Sequence, residues 1–334
     1  MNTKLKEILY KDLQLAPFMW ELQTLKIKKI YPSLFKRKKP IIIYMCNELG
    51  AMGGLSDRIH SMISTYKYCK KEGYEFKLAH FCPFDIGDFL LPNKVDWRIS
   101  KDMIDMDLHN VMVFKTTETP YNIMKMSWRA GEKYQMDYLN KKMRHIRKSV
   151  KQVHLYIYAR WIDEREFSEL FHEMFKPTEE LQKLIDWNKK QLGGPFISVT
   201  ARFQNLMGDF YEGKQFGTLK KEKEKAEYIR KCVDKVAEIH GKHPNMKILV
   251  TADSARFLTA VKELPYVHVI PGELVHMLFT TNSTHANYLK NFVDLMTLSE
   301  AQKLYLIMTG KMYRSGFAET ASFINLREYE DVRF

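Results

Sequence analysis

One segment, residues 40–79, limits the possible fold more than any other part of the sequence. Pro40 stops any preceding helix, and Ile41–Cys46 has the length and unbroken apolar character of a buried strand. A glycine-containing loop follows, then apolar residues at helical spacing from about Ser56, and a second strand pattern begins at Tyr74. This order of strand, glycine-rich turn, helix and strand predicts an α/β fold with a doubly wound parallel sheet.

The same alternation returns in the second half of the chain. Leu192-Gly193-Gly194-Pro195 is typical of a linker, and strand patterns follow at Phe196–Ala201 and Met246–Ala252 with a long charged helix between them. A chain of 334 residues suits two domains of about 150 residues each. We therefore predict a leader at 1–39, an N-terminal α/β domain at 40–192 and a C-terminal α/β domain at 193–334.

The charge of the chain favours an anionic partner. Lysine and arginine outnumber the acids by 53 to 40, and residues 1–40 alone hold ten basic and three acidic side chains interleaved with apolar ones. Such a segment can lie on an anionic membrane surface through residues 1–38, although a helix packed on the domain with its lysines in water fits equally well. The sequence has no known nucleic-acid reader motif, so nucleic acid is not an expected partner.

Neither a transmembrane segment nor a secretory signal is expected. No apolar run approaches the 18–20 residues that a spanning helix needs, and the start of the chain is charged. The expectation is a cytoplasmic protein that can associate peripherally with the inner face of the membrane.

Metal and redox chemistry have little support in the sequence. The four cysteines show no CxxC spacing and no nearby histidine cluster. Asp105-Met106-Asp107 matches the DxD signature of one large glycosyltransferase architecture, but Ser100–Ile104 before it is no strand pattern, so a chance match is favoured. No metal and no cofactor are therefore expected.

Several residues fall where an α/β sheet binds phosphates. Glycines between a strand and a helix let the backbone approach an anion, as Gly53 and Gly54 would do with Arg58 in the first helical turn. Arg202 follows the first strand of the second half, and a guanidinium there suits a pyrophosphate. Asp253 ends another strand at the same edge, where a carboxylate can accept N–H donors of guanine or cap a helix.

A last motif opens a helix near the end of the chain. Ser315, Gly316 and Phe317 stand at this helix start, whose small residues suit a phosphate, although a simple capped helix explains them too.

Taken in order, these motifs resemble the fucosyltransferase superfamily: the α1,2-, α1,6- and protein O-fucosyltransferases and the nodulation fucosyltransferases. The counterparts are Gly53–Arg58, Thr200-Ala201-Arg202, Ala252-Asp253 and Ser315–Ala318, and the resemblance covers roughly residues 40–325. Thr200 replaces a histidine that in the family helps to hold the base, and Ala318 stands where a second serine is common.

The resemblance implies two facing doubly wound domains of GT-B architecture, with the donor held mainly by the C-terminal domain and the acceptor on the N-terminal side. It implies an inverting, metal-independent transferase that moves L-fucose from GDP-fucose to an acceptor. We expect this acceptor to be a glycan in surface polysaccharide or oligosaccharide synthesis. Arg202 would stabilise the leaving phosphate, and a nearby acid would act as general base: Asp209 first, with Glu212 and Glu48 behind it. The alternatives are a transferase for another GDP-sugar and a non-catalytic nucleotide-sugar or glycan-binding protein.

Overall fold

A computed structural model describes residues 39–47, 49, 53–115, 128–147, 149–159, 162–213, 216–273, 275 and 283–334. The basic leader at 1–38, for which membrane association was predicted, and Glu48 lie outside the described residues. The chain forms two compact units. The first contains the described residues up to Gly53 with Asp57–Asp85 and Pro92–Ile162, and the second contains Gly54–Ser56, Ile86–Leu91 and Asp163–Phe334.

The first unit is built on a parallel sheet of order β2-β1-β5-β4. Its strands are β1 (Ile41–Cys46), β2 (Phe76–His80), β4 (Val111–Lys115) and β5 (Gln152–Tyr156), and its helices are α1 (Leu55–Glu72) and α2 (Trp128–Arg144). Helix α1 buries Ile59, Met62 and Ile63 at the predicted helical spacing. Asp57 in its first turn and lysines in its last turn oppose the helix dipole.

The second unit is built on another parallel sheet, of order β11-β10-β7-β8-β9. Its strands are β7 (Phe196–Ala201), β8 (Lys247–Ala252), β9 (Val267–His268), β10 (Lys303–Met308) and β11 (Glu328–Arg333). Its helices are α3 (Glu164–Met174), α4 (Glu179–Leu192), α5 (Glu222–Lys242), α6 (Ala255–Val261), α7 (His285–Leu298) and α8 (Phe317–Ile324). Two short strands, β3 (Leu90–Pro92) and β6 (Phe175–Pro177), form a separate ladder. The α/β fold class predicted from the alternating pattern is confirmed.

The chain divides between Ile162 and Asp163, earlier than the predicted boundary at 192/193. Helices α3 and α4 pack within the second unit, α3 against α8 and α4 against α7. A hydrogen bond of 2.7 Å from the Ser168 hydroxyl to the Ile324 carbonyl ties α3 to the end of α8. The glycine pair at 193–194 therefore ends a helix inside a unit: Gly193 has φ 78 and serves as the C-cap of α4.

Part of the core of the second unit is formed by a cluster of buried side chains packed on its sheet. Ile197, Val199 and Ala201 of β7 pack there in one buried cluster with Val236 and Ile239 of α5. The register sets Ala201 beside Ala252, so the residues that follow β7 and β8 emerge at the same edge. This edge is where open parallel sheets bind ligands. No helix within the described ranges is long and apolar enough to cross a membrane.

Candidate functional site

Arg202, Glu212 and Asp253 form an ionic cluster at the carboxyl edge of the second sheet, called here the arginine cluster. Arg202 Nη2 lies 2.5 Å from Glu212 Oε2, and Arg202 Nη1 lies 3.2 Å from Asp253 Oδ2. The Arg202 side chain is 19% exposed, whereas that of Asp253 is only 2% exposed. The guanidinium also lies over the ring of Phe210, 5.0 Å from its centroid. A half-buried guanidinium is therefore held from three sides at the predicted position.

Asp253 fixes the backbone that follows β7. Its Oδ1 accepts a hydrogen bond of 2.7 Å from the Phe203 amide, and its Oδ2 accepts one of 2.7 Å from the Gln204 amide. Burial raises the pKa of the Asp253 carboxyl, and the Arg202 charge and these amides oppose that shift. Because both oxygens already accept from this chain, the geometry gives Asp253 a positioning role. Its predicted contact with guanine stays a prediction.

The loop after Arg202 is held by residues that the sequence analysis did not single out. The Asn205 amide donates to the carbonyls of Gly213 and Phe216 at 2.9 and 3.1 Å, and its oxygen accepts from the Glu212 amide at 2.7 Å. Asn205 therefore sets where Glu212 stands. The sequence signal that could have indicated it is an asparagine three residues after the motif arginine, because asparagine side chains often hydrogen-bond to the backbone of their own loop.

Asp209 and Glu212, the two predicted candidates for the general base, differ in their surroundings. Asp209 is exposed, and its Oδ2 accepts from the Ser254 hydroxyl at 2.8 Å and from the Arg256 amide at 3.0 Å. These contacts place Asp209 at the N-terminus of α6, where an acid caps the helix. Glu212 is the acid that contacts Arg202. The structure thus brings Glu212, and not Asp209, into the arginine cluster.

The helix start at Ser315, Gly316 and Phe317 is tied to the end of β7. The Tyr313 amide donates to the Arg202 carbonyl at 3.2 Å, which brings the approach to α8 beside the arginine. Gly316 is the N-cap of α8 and makes no side-chain cap, while Ser315 Oγ accepts from the Phe317 amide at 3.2 Å. Backbone N–H groups at this helix start can bind an anion close to Arg202.

Thr200 and Ala318, the two departures from the family motifs, are both buried. The Thr200 and Thr251 hydroxyls, on neighbouring strands, lie 2.9 Å apart and share a hydrogen bond. Thr200 therefore joins β7 to β8, and Ala318 packs without exposed surface in the first turn of α8.

In the first unit, Arg58 holds a turn instead of presenting its charge to solvent. It is 3% exposed, and it donates to the Gly53 carbonyl at 3.0 Å, to Cys46 Sγ at 2.8 Å and to the Cys82 carbonyl at 3.0 Å. His80 Nε2 lies 3.1 Å from the same Nη1 atom. The guanidinium is thus buried and engaged by groups of its own unit, and the predicted contact of Arg58 with a phosphate stays a prediction.

His80 and Cys46, two of these partners, are kept neutral. Burial, with a further contribution from Arg58, lowers the pKa of His80 to about 3. The neutral imidazole donates from Nδ1 to the Phe84 carbonyl at 3.0 Å and leaves Nε2 to accept from Arg58. Burial raises the pKa of the Cys46 thiol to about 11.

The two glycines of the first motif differ in whether their positions could hold a side chain. Gly53 has φ 69, and a Cβ there would meet the Asp57 carboxylate at 2.6 Å, so the turn needs glycine. A Cβ at Gly54 would meet nothing within 4 Å.

The two aspartates of the DxD motif accept hydrogen bonds from backbone amides of their own turn. Asp105 Oδ1 accepts from the Asp107 amide at 2.9 Å, and Asp107 Oδ1 accepts from the His109 amide at 2.9 Å. Across the described residues, no group of three or more His, Cys, Asp or Glu side chains is placed to hold a metal ion.

The sequence matches no protein-family model and no curated protein. Its structure, however, is similar to solved fucosyltransferases. For the α-1,6-fucosyltransferase NodZ soaked with GDP-fucose, the TM-score is 0.52 at 14% identity, over 86% of this chain and 93% of that chain. For an Arabidopsis thaliana FUT1 mutant in complex with GDP, the TM-score is 0.51 at 10% identity, over 98% of this chain and 77% of that chain.

The apo form of POFUT1 is similar over 90% of this chain and 99% of that chain, with a TM-score of 0.53 at 10% identity. At these identities the similarity concerns the fold. The predicted GT-B fold class is confirmed by the similarity to these fucosyltransferase structures.

Proposed function

We propose that the protein is an inverting glycosyltransferase that transfers L-fucose from GDP-fucose to a hydroxyl group of a glycan. The observation that carries the proposal is the arginine cluster, which places Arg202 at the carboxyl edge of the sheet beside the start of α8. It occurs in a fold shared with NodZ soaked with GDP-fucose and with FUT1 in complex with GDP. In open α/β sheets this edge is the usual position of a phosphate-containing ligand.

The reaction is a single displacement at the anomeric carbon of the sugar. The acceptor oxygen forms a bond to this carbon while the bond to the β-phosphate oxygen breaks, and GDP leaves with the electron pair. Negative charge builds on the leaving phosphate, and Arg202 with the N–H groups at the start of α8 supplies fixed positive charge for it. Because these groups can neutralise the diphosphate, we propose that the reaction needs no metal ion.

Glu212 is our choice for the general base that takes the proton of the acceptor hydroxyl. Its carboxylate lies beside the proposed position of the phosphates, whereas Asp209 is engaged in capping α6. A carboxylate held by a guanidinium has lone pairs committed to that contact. A diphosphate that binds Arg202 competes with Glu212 for the guanidinium, so donor binding would release the base.

The test is donor turnover. Wild type should hydrolyse GDP-fucose slowly or transfer fucose to an acceptor, and GDP-fucose should be used better than UDP-sugars. Arg202→Lys should lower turnover at least about a hundredfold while the protein stays folded, because a lysine cannot replace the bidentate fork. Near-normal turnover in that variant would remove Arg202 from the site, and a UDP-sugar as the best donor would overturn the assignment.

Thr200 and Ala318 favour one further candidate, a transferase for a different GDP-sugar. Their buried side chains replace two polar groups of the family motifs, and Thr200 is engaged with Thr251. Preference for GDP-mannose over GDP-fucose would indicate this candidate. Binding of GDP-sugars without any turnover would indicate a non-catalytic descendant.

The proposal extends to the acceptor of the sugar and to the place of the protein in the cell. We propose a glycan acceptor in surface polysaccharide or oligosaccharide synthesis at the inner face of a membrane, with residues 1–38 attracted to anionic lipid by their basic charge. The full chain should then bind anionic vesicles in low salt and leave them in high salt. Equal binding to neutral vesicles would contradict an electrostatic attachment.

A further inference from the structure

Gln204, two residues after Arg202, combines three unusual features. It has φ 53, in the left-handed region that side chains other than glycine rarely adopt. It is only 6% exposed, and within the part of the chain that the structure describes its Nε2 atom is buried without a hydrogen-bond partner. Its backbone amide is held by Asp253 at 2.7 Å.

The left-handed backbone and the unpartnered Nε2 atom both oppose folding of the unliganded protein. A buried donor that exchanges its water for no partner destabilises the native state, and a left-handed backbone at a residue other than glycine adds strain. A methionine at position 204 would have nearly the same volume as the glutamine and would bring no buried donor. A glutamine placed here is thus explained if a bound molecule supplies the missing acceptor.

The position of Gln204 in the sheet indicates which part of a nucleotide reaches it. Arg202 and the start of α8 lie at the ends of β7 and β10, where the phosphates are proposed to bind. The contact with Asp253 holds Gln204 at the end of β8, the next strand on the other side of β7. A nucleoside diphosphate extended along this edge from β10 across β7 would bring its base to β8.

Gln204 has the chemistry that base selection needs there. Asp253 already accepts from Phe203 and Gln204 and lies 3.2 Å from Arg202, so its oxygens are engaged. A carboxamide nitrogen donates two hydrogen bonds. Guanine presents O6 as an acceptor at the place where adenine presents an amino donor.

We propose that the Gln204 carboxamide donates a hydrogen bond to O6 of the guanine base and thereby selects guanine nucleotides. This inference rests on the proposed function, because it assumes that a nucleoside diphosphate binds at the arginine cluster. In the orientation of the structure, where Nε2 is the buried atom without a partner, the amino group of adenine would meet the Gln204 N–H groups and leave donors on both sides unpaired, so discrimination would arise chiefly against adenine.

The experiment measures binding of GDP, IDP and ADP to the full chain by calorimetry, with melting temperatures of the unliganded proteins. Inosine keeps O6 and lacks the 2-amino group, so wild type should bind GDP and IDP within about threefold of each other and ADP much more weakly. Gln204→Met should weaken GDP and IDP roughly tenfold, leave ADP unchanged and leave the unliganded melting temperature equal or higher. Gln204→Asn keeps the amide and tolerates the left-handed backbone, and its shorter side chain should give the same selective loss.

The control is Leu326→Met, because Leu326 is the other residue apart from glycine with a left-handed backbone in the described ranges and is 52% exposed. It should leave all three affinities unchanged. If wild type binds GDP and both Gln204 variants bind it equally well, the inference fails while the proposed function stands. If wild type binds none of the three nucleotides, both fail. A Gln204→Met protein that melts lower and keeps its base preference would show a purely structural glutamine.

Discussion

Arg202 and Glu212 stand ten residues apart in one loop, and their side chains meet at 2.5 Å between Nη2 and Oε2. The same guanidinium lies 3.2 Å from Asp253, so one arginine is shared between two carboxylates. The two carboxylates and the one guanidinium give the cluster a formal charge of −1. A diphosphate that binds Arg202 would compete with these carboxylates, and Glu212 is the less buried of the two, with 13% of its side chain exposed against 2%.

Glu212→Gln is expected to separate binding from catalysis. The amide keeps the size of the side chain and removes the negative charge that competes with the donor for Arg202, so GDP should bind as well as to wild type or more tightly. Turnover should fall by about a hundredfold or more, because the amide cannot accept a proton. Calorimetry with GDP and initial rates with GDP-fucose measure the two effects. Equal losses of affinity and turnover would instead mean that Glu212 only supports the fold of the loop.

Asp209→Asn is expected to lower the stability of the protein and to leave its turnover nearly unchanged. Asp209 accepts from the Arg256 amide in the first turn of α6, and an asparagine keeps an acceptor oxygen but removes a negative charge from the N-terminus of the helix, which costs about 0.3–1 kcal/mol of the free energy of unfolding. The melting temperature should therefore fall, while turnover per folded molecule stays within about threefold of wild type. Denaturation curves and rates corrected for the folded fraction provide the measurement. A hundredfold loss of turnover at unchanged stability would restore Asp209 as the general base.

The alternating pattern of the sequence was sufficient to predict the two α/β units, because buried parallel strands and amphipathic helices leave strong periodic signals. It also placed Arg202 and Asp253 at one sheet edge, since residues after parallel strands emerge together. Roles within the site depended on contacts that no periodicity encodes. Arg58 matched a family motif at the start of α1, yet its side chain is buried against Gly53 and Cys82.

Residues that position others were harder to find. Asn205 holds Glu212 because its side-chain oxygen accepts from the Glu212 amide and its Nδ2 donates to the Gly213 carbonyl, and irregular loops leave no repeating pattern to read. The boundary at 192/193 was predicted from two glycines, but a glycine at a helix C-cap looks the same in sequence as a glycine in a linker. Only the packing of α4 on α7 distinguishes the two cases.

Chelation is expected to leave turnover unchanged. If Arg202 and the N–H groups at the start of α8 stabilise the leaving diphosphate, excess EDTA removes nothing that the reaction needs. Initial rates with GDP-fucose before and after EDTA treatment make the comparison. A rate lost with EDTA and restored by Mn²⁺ or Mg²⁺ would require a metal site and a different account of phosphate stabilisation.

Acid should destabilise the protein partly through His80. Its pKa is lowered to about 3 in the folded state, mainly by burial, whereas an unfolded histidine titrates near 6.5. Above pH 6.5 the imidazole is neutral in both states and its neutral-state contacts are fully retained. Between pH 6.5 and about 3 only the unfolded chain takes up this proton, so stability falls as the pH drops, by at most about 1.4 kcal/mol per pH unit. Buried His154, whose pKa is lowered to about 4, acts in the same direction.

His80→Gln removes this proton uptake and keeps an atom that can accept from Arg58. The variant should lose stability less steeply than wild type between pH 6.5 and 4, even if it is less stable at pH 7.5. Urea denaturation across this pH range gives the slopes. Parallel curves for wild type and His80→Gln would contradict a neutral His80 in the fold. The Arg58 turn would then have to accommodate a second positive charge, because protonated His80 would lie 3.1 Å from the guanidinium.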